Sequence, residues 1–209
     1  MKLEVHTLRY GTADWIRLCA PRLEAWCGRH GFPLRVWGDD FPHYPCPKFC
    51  EIDMLRSFLD GDSTHMLYVD TDVWVADEAP APDMLHVPGF HAATDTHHAT
   101  HYEPWREWCR QQFGELPATD TYHNAAVWVC DREAAQRFLS RAQPPFIEAL
   151  MEEYQWNWWL TQARRDGMAF NLLDNRWNRS NRDHDPSLES WFIHVWGTDK
   201  EAELAKLAA

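Results

Sequence analysis

Two aspartates stand two residues apart in Tyr68-Val69-Asp70-Thr71-Asp72-Val73-Trp74, where an apolar run ends. A pair of hard oxygen donors with open coordination positions suits Mg²⁺ or Mn²⁺ shared with an anionic group such as a diphosphate. An isolated Asp-x-Asp reads as a turn with solvated or capping carboxylates. Here apolar residues flank it on both sides, which predicts that the carboxylates lie in a cleft. Near the other end of the chain, Phe192-Ile193-His194-Val195-Trp196-Gly197-Thr198-Asp199-Lys200 is an H-x-x-G-x-x-K arrangement. His194 follows a strand pattern, and its imidazole beside carboxylates shifts the preference from Mg²⁺ toward Mn²⁺. Gly197 lets the backbone approach a phosphate closely, and Lys200 supplies countercharge. Alone, that stretch reads as a capped strand, a turn glycine and a solvated lysine. Together with the Asp-x-Asp it reads as the second half of a metal and phosphate site.

These residues need a scaffold. Leu3 to Leu8 alternates apolar and polar residues as a strand does, and Gly11 closes it. From Thr12 or Ala13 to about Arg29, apolar residues recur at Trp15, Ile16, Cys19, Leu23 and Trp26 with a helical period. Pro21 predicts a kink or two shorter helices, and Gly31 ends the run. Pro33 to Trp37 is a second strand, Lys48 to about Leu59 a helix, and His65 to Val69 a third strand leading into Asp70. Strand, helix, strand, helix, strand predicts an α/β domain with a mostly parallel central sheet flanked by helices. In such sheets ligands bind beyond the carboxyl ends of the strands, where Asp70 and Asp72 fall. Residues 77–120 carry Pro80, Pro82, Pro88, Pro104 and Pro117 and read as loop. The pattern resumes with a strand at Ala125–Cys130 and helices from about Arg132 to Arg141 and Pro145 to Arg165. Late strands follow at Ala169–Leu173 and Trp191–Val195. No repeat or linker interrupts the chain, so residues 1–200 are expected to form one domain and 201–209 a short tail.

Composition narrows the partners. Asp and Glu outnumber Lys and Arg by 32 to 20, a net charge of −12 that disfavours nucleic acid and anionic membrane surfaces. No apolar run approaches the ~18 residues of a membrane span, and Met1 to His6 lacks a signal peptide's apolar stretch. The reducing cytoplasm is therefore expected, with Cys19, Cys27, Cys46, Cys50, Cys109 and Cys130 as buried free thiols. Cys46-Pro-Lys-Phe-Cys50 has one residue too many for a CxxC pair. His97 and His101 have i,i+4 spacing, but no further zinc ligands accompany them. Arg176, Arg179 and Arg182 form a basic cluster that reads as solvated loop.

The strand ending in Asp-x-Asp, the His123-Asn124-Ala125-Ala126-Val127 segment and the H-x-x-G-x-x-K resemble GT-A (Rossmann-like) glycosyltransferases. The likeness is to the retaining family 8 group, typified by glycogenin and the lipopolysaccharide galactosyltransferases, over about residues 1–200. The resemblance implies a metal-dependent transferase that moves a sugar from a nucleotide-diphosphate donor, a UDP-sugar by preference, to an acceptor hydroxyl with retention. It implies that Asp70, Asp72 and His194 hold Mn²⁺, with Mg²⁺ as the substitute. Gly197 and Lys200 would contact the diphosphate, Lys48 would help hold the donor, and Thr7, Leu8, Arg9 and Tyr10 would cradle base and ribose. Asn124 falls on the family's Asn before a small-residue strand.

The chain departs from the family's pattern at named places. Asn124-Ala125-Ala126 replaces Asn-Ser-Gly or Asn-Ala-Gly, and Glu201-Ala202 replaces the Pro-Trp that follows the Lys. The family's Asp-Gln pair near the reacting carbon falls on Glu152-Glu153-Tyr154-Gln155, which leaves the role open among Glu152, Glu153 and Gln155. A carboxylate there, Glu153 or Glu152, would stabilise an oxocarbenium-like anomeric carbon. Asp95 is expected on the donor sugar's hydroxyls, and an indole among Trp156, Trp158 and Trp159 could stack on a sugar face. The acceptor would be a glycan, a protein or a small molecule. Two readings compete: a non-catalytic nucleotide-sugar-binding protein of the same fold, and a sugar nucleotidyltransferase. For the latter, Arg9-Tyr10-Gly11-Thr12 is a meagre triphosphate loop.

Overall fold

The computed structural model describes residues 1–38, 44–95, 98–146, 152–181, 189–195, 197 and 199–208. The chain begins β1 (Leu3–Leu8), α1 (Asp14–His30), β2 (Leu34–Trp37), a 3-10 turn at Pro47–Cys50, α2 (Glu51–Asp60) and β3 (His65–Val69). Then come β4 (Val73–Val75), β5 (Phe90–Thr94), α3 (His98–Phe113), β6 (His123–Asp131) and α4 (Arg132–Arg141). The last elements are α5 (Glu152–Arg165), β7 (Phe170–Leu172), β8 (Arg179–Ser180), β9 (Phe192–His194) and α6 (Lys200–Ala208).

Local chemistry sets most of these boundaries. Gly31 takes the left-handed conformation at φ 69° and returns its N–H to Cys27 and Gly28, which closes α1. Pro21 does not split that helix: it lies on the exposed face, where water can satisfy the carbonyl it leaves without a donor. Asp131 caps α4 by accepting from the Ala134 N–H at 2.8 Å. At the end of α2 the Arg132 guanidinium donates to the carbonyls of Phe58, Leu59, Gly61 and Ser63.

The main sheet has the order β2-β1-β3-β6-β5-β7. β1 runs parallel to β2 and β3, and β5 runs parallel to β7, but β6 is antiparallel to both its neighbours. The sheet is therefore mixed, which corrects the mostly parallel expectation. The reason lies in residues 77–120, which are not simply loop. They contain β5 and α3, and α3 with the segment after it returns the chain to the sheet edge it left instead of crossing to the other. The Ala125–Cys130 pattern signals burial, and burial carries no direction. A second, three-stranded sheet, β4-β9-β8, takes up the expected late strand Trp191–Val195.

One face of the main sheet packs Phe58, Trp128, Phe138, Trp156 and Trp159 beneath α2, α4 and α5. The other face packs Leu23, Trp26, Val69, Trp177 and Phe192. Within the expected tail, α6 buries Leu204 against Cys19, Trp74, Ile193 and Val195. All six cysteines are free and buried.

Candidate active site

The site assembles at the edge where β3 and β5 end and β6 begins. Asp70 follows β3 and donates its N–H to the Ala126 carbonyl at 2.8 Å, and the chain then turns at once into β4. One Asp70 carboxylate oxygen accepts from the Thr71 N–H at 2.8 Å, and the other faces Lys48 Nζ at 3.2 Å. Lys48 is delivered by the 3-10 turn that starts at Pro47. Asp72 is buried; its Oδ2 pairs with Lys200, the first residue of α6, and its Oδ1 lies 3.5 Å from His194 Nε2. Antiparallel pairing of β4 and β9 sets Val73 opposite His194, and the Val195 N–H bonds the Asp72 carbonyl at 2.9 Å.

Asn124 orients the imidazole. Its Oδ1 accepts from the Ala126 N–H at 2.9 Å and from Asn178 Nδ2 at 3.2 Å, which fixes the amide so that its Nδ2 donates to His194 Nδ1 at 3.1 Å. The neutral ring then carries its proton on Nε2, aimed at Asp72. Asn157 on α5 holds the start of β6 in place: its side chain accepts from the His123 N–H at 2.8 Å and donates to the His123 carbonyl at 2.9 Å. Asn157 and Asn178 were not visible in the sequence, because a buried amide carries no signature until the strand it clamps is known.

The charges are mutually tuned. Burial alone would lower the Lys48 ammonium, but the carboxylates of Asp70, Glu51, Glu153 and Asp72 outweigh it and hold Lys48 above the ordinary lysine range. Burial would raise Asp72, yet His194 and Lys200 pull it well below the usual carboxylate range. Burial lowers His194, and Asp72 and then Asp70 more than reverse this. The Asn124 amide opposes that protonation, since an imidazolium has no lone pair at Nδ1. Burial raises Glu153, against the opposing pull of Lys48.

Glu153 and Glu152 face different ways. Glu153 Oε1 accepts from the Ala125 N–H at 3.3 Å and lies toward Tyr122, Asp95 and Lys48. Glu152 lines a cavity of about 10 Å³ with Lys48, Glu51, Trp156 and Trp159, behind the site. Gln155 is buried and donates to the Pro145 carbonyl at 2.7 Å. At the end of β1, Thr7 and Arg9 line a small cavity with Ile16, Cys19, Asp70 and Thr71. Leu8 belongs to the core, Tyr10 is exposed, and Arg9 pairs with Glu24. Gly197 has φ 113°, a conformation that favours glycine.

The expected sugar-stacking indole is corrected. Trp156, Trp158 and Trp159 are all buried, packed on Phe90, Phe113 and Phe49 respectively. Asp95 is buried too, and its Oδ2 accepts from His101 Nδ1 at 2.6 Å. His97, Arg182 and Trp196 lie outside the described residues. Arg176 is paired with Asp174 and Glu189.

The donor set of Asp70, Asp72 and His194 fits a divalent cation in its chemistry. Asp72 Oδ1 is buried, has no hydrogen-bond partner and faces the His194 ring nitrogen. Among the described residues, however, no three such side chains already stand together as a ligand set. Asp70 is turned to Lys48 and Asp72 to Lys200.

No family model and no curated protein matches the sequence. The fold is similar to that of a solved structure, a glycosyltransferase involved in the glycosylation of the major capsid of PBCV-1. That match has a TM-score of 0.64 and 14% identity, and covers 100% of this chain and 99% of the other. The chain thus has a glycosyltransferase-like α/β fold over its full length. Among the described residues no helix is long and apolar enough to cross a membrane.

Proposed function

We propose that this chain transfers a sugar from a nucleotide-diphosphate donor to an acceptor hydroxyl. The observation that carries the reading is the pairing of each Asp-x-Asp carboxylate with a lysine from elsewhere in the chain, Lys48 on Asp70 and Lys200 on Asp72. Two ammonium groups beside two carboxylates, next to a glycine with positive φ, make a place where a diphosphate and a cation can enter together. The full-length likeness to a glycosyltransferase fold supports the same reading.

In this reading a divalent cation, Mn²⁺ by preference, is held by Asp70, Asp72 and His194 and neutralises charge on the diphosphate. Lys48 and Lys200 exchange their carboxylate partners for phosphate oxygens and steady the leaving group as the sugar–phosphate bond breaks. Gly197 lets the backbone come close to the phosphates. Glu153 would face the sugar's reacting carbon, and Thr7, Arg9 and Tyr10 at the end of β1 would contact base and ribose. A UDP-sugar is the favoured donor. Retention rests on the family 8 resemblance alone.

A thermal-shift panel of UDP-, GDP-, ADP- and CMP-sugars, with and without Mn²⁺, tests the reading. One donor is expected to stabilise the chain in a Mn²⁺-dependent way, and Asp72→Asn to abolish that shift and the release of sugar from the same donor. Stabilisation without any turnover is the outcome for a non-catalytic binding protein. No response to any nucleotide sugar overturns the reading.

A further inference from the structure

We infer that Glu51 is a positioning residue that holds Lys48 against the donor's diphosphate from behind. The inference rests on the sugar-transfer reading and adds to it a residue that lies outside both sequence motifs.

The local fold puts the two side chains together. Lys48 lies in the 3-10 turn Pro47–Cys50, and Glu51, three residues on, opens α2. Residues three apart in a 3-10 turn stand on one face. Lys48 and Glu51 accordingly line the same cavity of about 10 Å³, with Glu152 and the apolar side chains of Phe49, Phe138 and Trp159 around them. Lys48 thus has Asp70 at 3.2 Å on the site side and Glu51 in the cavity behind it.

Stability does not account for Glu51. It is 3% exposed, and among the described residues neither of its carboxyl oxygens has a hydrogen-bond partner. The Tyr68 hydroxyl and the Trp128 indole N–H face that carboxyl from the sheet and are likewise unpartnered. Tyr68 on β3 stands opposite Trp128 on β6, and their rings stack at 5.2 Å. Glu51 therefore sits between two donors on the sheet and the Lys48 ammonium. Burying a carboxyl without a partner destabilises a fold, whereas an apolar side chain of the same size does not.

The other carboxylates around Lys48 have other work. Asp70, Glu51, Glu153 and Asp72, in that order, act on the ammonium. In the sugar-transfer reading Asp70 and Asp72 turn to the cation, and Glu153 already accepts from the Ala125 N–H. Glu51 is left as the acceptor beside a lysine that has parted from Asp70. An ammonium has three N–H donors; with Glu51 taking one from behind, the others are directed at phosphate oxygens. Burial pushes the Glu51 carboxyl up to about 8 against the pull of Lys48. Its neutral form keeps a carbonyl oxygen that accepts an N–H, so glutamine preserves the contact and methionine removes it.

The test measures calorimetric affinity for UDP, or for GDP where wild type prefers it, with Mn²⁺ present, together with the urea midpoint. Glu51→Met is expected to bind the diphosphate at least tenfold more weakly, the loss of one hydrogen bond to a charged group, and to unfold at or above the wild-type urea midpoint. Glu51→Gln is expected to recover most of the affinity. On a Lys48→Met background, Glu51→Met is expected to cost nothing more, because Glu51 acts through the lysine. Affinity of Glu51→Met within threefold of wild type overturns the inference alone and leaves sugar transfer standing, as does an equal loss with and without Lys48. A Glu51→Met protein less stable than wild type also overturns it, since the carboxyl then serves the fold. Wild-type protein that binds neither diphosphate nor any nucleotide sugar overturns both readings.

Discussion

Acidification should unlock a buried network at the edge of β1, and its cost follows from one histidine. The His6 side chain is fully buried; its Nε2–H donates to Glu4 Oε1 at 2.8 Å, and its Nδ1 accepts from the Trp37 indole N–H at 3.2 Å. Glu4 also accepts from the Ser63 hydroxyl at 2.9 Å, so the network ties β1, β2 and the segment before β3 together. Protonating His6 puts an N–H where Trp37 already points one. Burial pushes the imidazole down from 6.5 to about 4, although Glu4 pulls the other way.

The unfolded chain therefore binds a proton near pH 6.5 that the folded chain refuses until about pH 4. Stability from this residue is fully present above about pH 6.5, falls with pH through that window, and is gone below about pH 4. At about 1.36 kcal/mol per pH unit, the displacement amounts to about 3 kcal/mol, a large share of the ~5–15 kcal/mol that holds a typical domain folded. Urea denaturation followed by tryptophan fluorescence at intervals from pH 7.5 to pH 4 measures it in wild type and in His6→Gln, which cannot titrate. The stability gap between the two should close by about 3 kcal/mol across that range. Parallel curves, with a gap constant to within about 0.5 kcal/mol, would refute the assignment to His6.

Other perturbations test the supports of the site and fold. Arg132→Met strips the carbonyls at the end of α2 of a shared donor and should cost about 3 kcal/mol in urea denaturation. Gly89 sits at φ 125°, and a Cβ there would lie 2.6 Å from the Ala169 carbonyl oxygen, so Gly89→Ala should cost about 2–4 kcal/mol by the same assay. Asn157→Leu leaves the His123 N–H and carbonyl without their side-chain partner, and donor turnover should fall more than UDP binding as β6 loosens. Asn124→Ala frees the His194 ring and strips the buried Ala126 N–H and Asn178 amide of their acceptor, so it should cost about 1–3 kcal/mol in urea denaturation and weaken Mn²⁺-dependent stabilisation by UDP.

The elements legible in the sequence are those that close their own hydrogen bonds or bury one clear face. β3 at His65–Val69 and α4 at Arg132–Arg141 match the expected bounds, and Gly31 ends α1 as its left-handed conformation requires. α3 was hidden by Pro104 and a polar, histidine-rich start, and β5 by its two central alanines between Phe90, His91 and Thr94. Neither propensity nor period reveals them, because their burial comes from Trp105, Trp108 and Phe90 packing into a core that the rest of the chain creates. The same gap concealed the Asp95–His101 contact. In the sequence His101 stands out by its spacing to His97 and its place in a histidine-rich loop, and its link to Asp95 depends on where α3 starts.

The reversed strand is what joins the two halves of the site. In a sheet with β6 parallel to β3, the start of β6 would lie at the opposite edge, more than 20 Å away for a strand of nine residues at about 3.3 Å each. Asn124 could not then reach His194, nor could the Ala125 N–H receive Glu153, beside a carboxylate that follows β3. Running β6 backwards brings its first residues level with Asp70, whose N–H bonds the Ala126 carbonyl. The two motifs seen in the sequence, Asp-x-Asp and H-x-x-G-x-x-K, meet through β4 and β9 on one flank. β6 and β5 set Asn124 and Asp95 on the other, where α5 brings Glu153 to the Ala125 N–H, so the antiparallel pairing that the sequence pattern could not specify completes the cluster.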